Sequence, residues 1–501
     1  MAFFTNKDKD FPPENWSYWY NKYAEWLAWY SGDPERLLQF YCMNRGQFET
    51  QDSRFWARIE REERATAVHL PAAGDICSMS ADLLFAEAPK IRYDQKTTSG
   101  KRINEFMREN GFISKLLEGA EIAAAVSGCF LKLDIDPDVV GVPILSIIDT
   151  LHAFPTFKWG RLWSVLFWRV VKTENNGSTV WRLFEDREII PNGLKIQFKL
   201  YRGTDATLGS EVELLSIDET AMLGLKDGVL EGMKGLGVVY VPNKKPNKLD
   251  LGSPTGINDF SVCIPLMDSL DFAWTSWMRD IELGMGQLLI DEELLDKRAP
   301  LGRVEEATFS KFQKAFMRLN LSEWRLGGEN IKPIENVQFD LRVEEHSKTC
   351  ERLFSEIIGR AGYSEKSFGL TDNTGRAESG SALRIRERKS LLTREKKSRY
   401  WQHAIWELLY QMQLMDISSN LSSSYEVQEV EIELEDSIII DPKETSETIR
   451  NIDQARAAST FVKVKLLHPE WETEDIDTEV QTILKEQGIS NPPFVDEDEI
   501  I

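Results

Sequence analysis

Apolar side chains recur at helical spacing from Trp16 to Tyr30 (Trp16, Trp19, Tyr20, Tyr23, Trp26, Leu27, Tyr30), predicting an amphipathic helix that packs on a core or on another subunit. Its flanks lack the Lys/Arg cluster that a membrane-surface helix needs. Asp33-Pro34 supplies an N-cap and a first-turn proline for a second helix toward Met43. Further helices are expected around Pro71 to Phe85, Arg102 to Asn110 and Phe112 to Ser127. The period then shortens to two. Phe130–Ile135, Pro143–Ile148, Leu162–Val171, Val180–Phe184, Leu194–Tyr201, Glu211–Ile217 and Gly237–Val241 read as short strands of a mostly antiparallel region, parted by turn signals such as Asn175-Asn176-Gly177 and Pro191-Asn192-Gly193. Pro242 to Asp259, rich in Pro, Gly, Asn and Lys, reads as a linker.

Beyond it, Cys263, Met267, Leu270, Trp274, Trp277 and Ile281 alternate steps of four and three, the seam of a long helix packed on another helix. Val343, His346, Cys350, Leu353 and Ile357 repeat that alternation. Gly284 to Asp340, between them, reads as an insertion of turns and short elements. A polar loop, Ser364 to Ser381, feeds a cationic helix whose apolar positions continue through Trp401, Ile405, Leu408, Met412 and Met415 to a serine-rich turn at Ser418–Ser424. Tyr425 to Ile440 alternates like a strand, and Pro442 to Gln487 reads as helical and acidic.

Charge sharpens this picture. The 501-residue chain carries a net −22, yet Arg376 to Arg399 hold nine Lys/Arg against three Glu, a local +6. From Glu426 onward 21 Asp/Glu face 6 Lys/Arg, making the C-terminal region the acidic pole. A polyanion would be met at one place and repelled elsewhere. The cations Arg384, Arg386, Arg388, Lys389, Arg394, Lys396 and Lys397 spread around a helix, so they fit intersubunit salt bridges as well as a phosphate stripe. The five cysteines, odd in number and without a CxxC pair, read as buried thiols in a reducing compartment. No signal-peptide-like run and no stretch of membrane-spanning length is present.

Catalytic signatures are lacking. No G-x-x-x-x-G-K-S/T occurs, and Gly224, Gly228, Gly232, Gly235 and Gly237 lack the strand-to-helix context of a dinucleotide site, so they read as turn residues. His346 and Cys350 stand one helical turn apart, but both fit the packing seam and no further ligand lies near. Asp134, Asp136 and Asp138 resemble the start of a calcium loop, but Val139 stands where glycine is needed and Leu145 where the bidentate glutamate belongs. A hairpin turn accounts for them better. Neither metal nor cofactor is expected.

The order of these parts, together with the segments HLPAAGDICSMSADLLFAEAP (His69 to Pro89), FPTFKWGRLWSVLFWRVV (Phe154 to Val171), LMDSLDFAWTSWMRDIELG (Leu266 to Gly284) and TGRAESGSALRIRERKSLL (Thr374 to Leu392), resembles the portal proteins of long-tailed, double-stranded DNA bacteriophages (the siphovirus type). The resemblance covers nearly the whole chain and implies an α+β portal fold. Its parts would be a wing (1–255 plus a strand at 425–441), stem helices (256–283 and 340–363), a clip (284–339), a tunnel loop (364–381), a long kinked helix (382–424) and a crown with an acidic tail (442–501).

It further implies a non-enzymatic ring of about twelve subunits at one capsid vertex, assembled in the host cytoplasm, with no membrane partner. Double-stranded DNA would pass through for packaging, retention and ejection without being read. Ser367, Thr371, Asp372, Asn373, Thr374, Arg376 and Ser379 would line the tunnel loop, and Met267, Leu270, Trp274, Trp277, Leu353 and Ile357 would pack the stem. Asp291, Glu292, Glu293, Lys297 and Arg298 would face the large terminase subunit and a head-completion adaptor, with major capsid and scaffolding proteins as further partners. The alternative is a capsid or tail structural protein that never touches DNA, which explains the acidity and the β region but not the loop and basic helix set between long helices. A motor ATPase-nuclease is disfavoured by the missing phosphate loop.

Overall fold

The computed structural model describes residues 10–43, 54–59, 64, 66–175, 177–284, 287–291, 316–319, 334–337, 341–370, 380–421, 424–434, 442–468, 471 and 473–487. The chain divides into two compact units, Met1–Thr371 with Lys389–Glu435, and Asp372–Arg388 with Asp436–Ile501.

The first unit opens with α1 (Glu14–Tyr30), α2 (Pro34–Met43), a single turn α3 (Phe55–Arg58) and α4 (Ala72–Phe85). The carboxylate of Asp33 accepts from the Glu35 N–H at 2.9 Å, the expected cap. In α1, Tyr23, Trp26 and Trp29 are buried while Trp16, Trp19, Tyr20, Leu27 and Tyr30 are only half-covered. Trp29, outside the predicted stripe, is held because its indole N–H donates to the Tyr41 hydroxyl at 3.0 Å. After strand β1 (Lys90–Arg92) come α5 (Thr98–Glu109) and α6 (Phe112–Val126), the latter close to its expected span.

The β region follows as β2 (Gly128–Asp134), β3 (Ile144–Asp149), β4 (Ala153–Lys158), β5 (Arg161–Glu174), β6 (Thr179–Ile190), β7 (Gly193–Gly203), β8 (Ser210–Val212), β9 (Gly228–Glu231) and β10 (Val238–Pro242). Antiparallel ladders join β4-β5-β6-β7-β8, with β9 sharing with β8 the edge of β7 that faces away from β6, and separately β10-β2-β3. β4 escapes period-two reading because Pro155 interrupts it. Glu211–Ile217 is not the strand its pattern predicts: pairing stops at Val212, and Leu214–Ser216 and α7 (Asp218–Ala221) coil away, with the Thr220 hydroxyl bonded back to Ile217 O.

Residues 242–259 correct a second expectation. Far from a free linker, they bury Asn243, Asn247, Thr255, Asn258 and Asp259. The Asn243 amide donates to Ile257 O, Asn247 to Gly256 O and Asn258 to Ala125 O, so side chains satisfy a backbone that no sheet reaches. A Cβ on Gly256 would stand 2.5 Å from Ser127 O, which is why the segment needs glycine there.

The long helices α8 (Ile264–Leu283) and α9 (Val343–Ala361) pack together as predicted, with Met267, Leu270, Cys350 and Ile357 buried and Trp274, Trp277 and Leu353 half-buried. Ile281 and Val343, expected on the seam, are exposed. There the Asp280 carboxylate takes Arg342 at 2.6 Å and His346 at 2.9 Å, replacing apolar packing by a charged clasp. Between the helices lie β11 (Gln287–Asp291), β12 (Phe316–Leu319) and β13 (Ile334–Val337) in the order β12-β11-β13. α10 (Gly380–Ser418) is one helix of 39 residues, and its apolar positions Trp401, Ile405, Leu408, Met412 and Met415 are buried against α4, α5, α6 and the β10-β2-β3 sheet.

The predicted strand Tyr425–Ile440 shrinks to β14 (Glu431–Glu433), paired with β1; residues 435–440 lie outside the described residues. The Gln413 side chain explains the shortening, since it accepts from Gln428 N–H at 2.9 Å and donates to Gln428 O at 3.0 Å in place of a neighbouring strand. The second unit holds α11 (Pro442–Gln454), α12 (Thr460–Leu467) and α13 (Thr473–Glu486), helical as expected.

Gly256→Ala is expected to destabilise the purified protein by about 1–3 kcal/mol, the range for forcing atoms into a filled site. Gly228→Ala, which would meet nothing within 4 Å, is expected to stay within about 0.5 kcal/mol of the parent. Thermal unfolding of the two variants checks the contrast.

Candidate functional site

α4, the 242–259 segment, the end of α9 and α10 converge on one carboxylate. Asp259 Oδ2 accepts from Lys397 Nζ at 2.6 Å and from the Tyr363 hydroxyl at 2.7 Å, and Oδ1 accepts from the Asn243 amide at 2.8 Å. Lys244 Nζ also stands 2.8 Å from Oδ1 and donates to Ala361 O at 2.8 Å. Lys397 Nζ further reaches Ser80 Oγ at 2.5 Å. Asp259 and Lys397 are almost fully out of water. Burial alone raises a carboxyl, but Lys244 and Lys397 outweigh it and hold Asp259 well below the usual carboxylate range. Burial pushes the Lys397 ammonium down to about 8, with Asp259 opposing. The Tyr363 hydroxyl is pushed well up, by burial first and then by the Asp259 charge.

This hub stands beside the base of the polar loop. Gly362 takes a positive φ of 105° at the end of α9, and its carbonyl accepts from Thr393 Oγ1 at 2.6 Å. Ser364 N–H donates to Ser390 Oγ at 2.9 Å, Lys389 Nζ bonds Gly359 O, and Arg394 Nε donates to Leu83 O at 2.6 Å. Chain entering the loop is thus fastened to α10 before it departs.

Of the loop residues singled out in the sequence, Ser367 lies in a short 3-10 turn (Glu365–Phe368) and its hydroxyl is engaged with Ser390 Oγ at 2.9 Å. Thr371, Asp372, Asn373, Thr374, Arg376 and Ser379 lie outside the described residues. The cationic helix needs a correction: Arg394 and Lys397 are buried, so neither belongs to a phosphate stripe or an exposed salt bridge. They sit on the same seam as Trp401, where α10 meets its own chain. Arg386, Arg388, Lys389 and Lys396 are exposed, and the side chain of Arg384 lies outside the described residues.

Asp291 ends β11, whereas Glu292, Glu293, Lys297 and Arg298 lie outside the described residues. His346 stacks on Trp277 at 6.1 Å and Cys350 is buried as a packing residue. Asp134 is engaged by Arg187 at 2.5 Å and Asp136 caps its own turn through Asp138 N–H.

Asp259, Lys244 and Tyr363 were not legible as a site, because a linker-like composition hides a buried anion. One signal existed: Lys397 falls on the step-of-four, step-of-three seam that runs Ser390, Arg394, Lys397, Trp401, Ala404 and Leu408, so a buried counter-charge had to exist. Between pH about 8 and its ordinary value of 10.5, Lys397 keeps a proton in the unfolded chain that the folded chain has lost. This group therefore stabilises the fold as pH rises through that window and the gain disappears as pH falls. Relative to Lys397→Met, the parent is expected to gain on the order of 2–3 kcal/mol from pH 8 to 10.5, read as urea midpoints across that range.

The sequence matches the family described as phage portal protein, SPP1 Gp6-like, over residues 13–492. No curated protein matches it. Among solved structures it is similar to the neck of a native GTA particle computed with C12 symmetry (11% identity, 81% of this chain and 92% of that chain, TM-score 0.37). It is also similar to the neck of an empty GTA particle computed with C6 symmetry (11%, 79% and 90%, 0.38) and to a chain of the virion of a native gene transfer agent particle (9%, 89% and 92%, 0.36). Since the family match runs through nearly all of the sequence, the chain belongs to the phage portal proteins of the SPP1 Gp6-like family.

Proposed function

We propose that the protein assembles as a ring of about twelve copies that forms the DNA conduit at one capsid vertex, serving packaging, retention and ejection of the genome. The observation that carries this reading is the family match over residues 13–492. In this reading residues 1–255 and β14 form the wing, α8 and α9 the stem, the β11–β13 sheet with its connections the clip, 364–381 the tunnel loop, α10 the long helix, which runs unbroken where a kink was expected, and α11–α13 the crown. The clip docks the large terminase subunit and later a head-completion adaptor, through Asp291, Glu292, Glu293, Lys297 and Arg298. The ring acts without chemistry of its own, meets capsid and scaffolding proteins at the vertex, and is assembled in the host cytoplasm.

Two physical features support the conduit. An acidic chain of net −22 resists adsorption of a passing duplex, whose charge density is one per ~1.7 Å. The tunnel loop leaves from a base held by Ser390, Thr393 and the buried hub, so a short polar segment can be pressed by DNA without disturbing its anchorage. Thr371, Asn373, Thr374, Ser379 and Arg376 would then touch phosphates weakly and exchange quickly, with Asp372 limiting the hold. Ser367 no longer belongs with them, being engaged at the base.

Mass measurement on the purified protein is expected to give a ring near twelve copies; a monomer or a hexamer would contradict the reading. Deleting Leu370–Thr374 is expected to leave rings intact under electron microscopy and to lower DNA packaging or retention sharply in a defined assay. Filling and holding of capsids at the parent level would remove the loop from DNA passage.

A further inference from the structure

α10 carries two seams. Its buried seam is used within the chain. A second seam, Leu392, Lys396, Arg399, His403, Trp406 and Tyr410, also alternates steps of four and three, and all six residues are exposed. It is displaced by two residues from the buried one, roughly 200° around a helix of 3.6 residues per turn. Its middle is cationic and its C-terminal part aromatic, whereas the solvent face of an amphipathic helix is ordinarily charged and polar throughout.

The C-terminal half of this face is an ordered aromatic ladder. His403 stacks on Trp406 at 5.9 Å and 15°, and Trp406 on Tyr410 at 5.8 Å and 8°. Trp406 and Tyr410 keep 36% of their surface in water and Leu392 keeps 44%. Scattered apolar side chains on a surface are ordinary, but a stacked, pre-oriented row containing Trp and Tyr is the composition of interface anchors and loses little side-chain freedom on binding. Lys396 and Arg399 lie in the middle of the row.

We infer that this outer face of α10 is the contact with a second copy of the same chain, the aromatic ladder anchoring it and Lys396 and Arg399 seeking the neighbour's acidic surface. Charge selects this occupant. Two copies each of net −22 repel one another, so a neighbour is accepted only where one presents cations. Glu474, Asp475 and Asp477, exposed on α13, show that the chain carries acidic helix surface as well. A cationic face on one side and acidic surface elsewhere make a contact that repeats head-to-tail and closes into a ring. The inference rests on the ring reading above and specifies its interface.

The test replaces Trp406 with the photo-crosslinking amino acid p-benzoylphenylalanine in rings whose mass has been verified. Irradiation is expected to yield covalent dimers and a ladder of higher multiples of this chain. Intact rings giving only intrachain products, or none, overturn the interface while leaving the ring reading standing; a parent protein that forms no ring overturns both. A second arm measures assembly of Trp406→Ala/Tyr410→Ala and of Lys396→Glu/Arg399→Glu, with the thermal unfolding of each as a check on folding. Each is expected to raise the concentration for half-assembly at least about tenfold, as for loss of interface anchors. Folded variants that assemble at the parent's concentration overturn the proposal.

Discussion

The rest of the first unit depends on the buried Asp259 carboxylate. Four elements far apart in sequence meet there, contributing Ser80, Asn243 and Lys244, Tyr363, and Lys397. Two cations and two neutral donors satisfy one anion, which makes its burial tolerable; removing any one leaves a charge or a dipole unmatched in a medium that cannot solvate it. Hydrophobic packing is non-directional, whereas the carboxylate is satisfied only where Lys397 reaches it, at 2.6 Å.

A second buried carboxylate fixes the far end of the same helix. Asp416 takes the Arg102 guanidinium through two bonds and the Tyr425 hydroxyl at 2.9 Å. From Lys397 to Asp416 a helix rises about 28 Å at 1.5 Å per residue, so the C-terminal half of α10 is clamped at both of its ends while Trp401, Ile405, Leu408 and Met412 pack between the clamps. With rotation about its axis settled inside the chain, the face that α10 turns outward is settled too. The ladder of His403, Trp406 and Tyr410 therefore stands ready-made, and the loop beginning at Ser364 starts from a fixed place.

Elements with strong periodicity were legible from the sequence for a physical reason: burial of one face is decided locally by residue spacing. α1, α6, the α8–α9 pair and the strands from β5 to β7 are of this kind. Features that depend on a distant partner were not. The 242–259 segment reads as a linker because Asn, Gly and Pro are read by their turn preferences, whereas here the amides of Asn243, Asn247 and Asn258 serve as backbone partners. Lys397 and Arg394 read as two of the cations spread around a helix, because the apolar seam that starts at Trp401 does not by itself say that it continues back through charged residues. Tyr425–Ile440 alternates like a strand, but alternation cannot say that Gln413 will take up the backbone of Gln428. The family resemblance, by contrast, was carried by the order of parts, which such local errors leave untouched.

A double-mutant cycle between Asp259 and Lys397 tests the central claim most directly. Unfolding free energies are measured for the parent, Asp259→Asn, Lys397→Met and the pair together. If the two charges balance each other in the buried hub, Asp259→Asn alone is expected to cost about 3–5 kcal/mol, as for one partner lost from a buried pair. The double variant is then expected to be more stable than Asp259→Asn alone, since it no longer buries that lysine without its carboxylate. Losses that simply add, leaving the double variant the least stable of the four, would contradict the account.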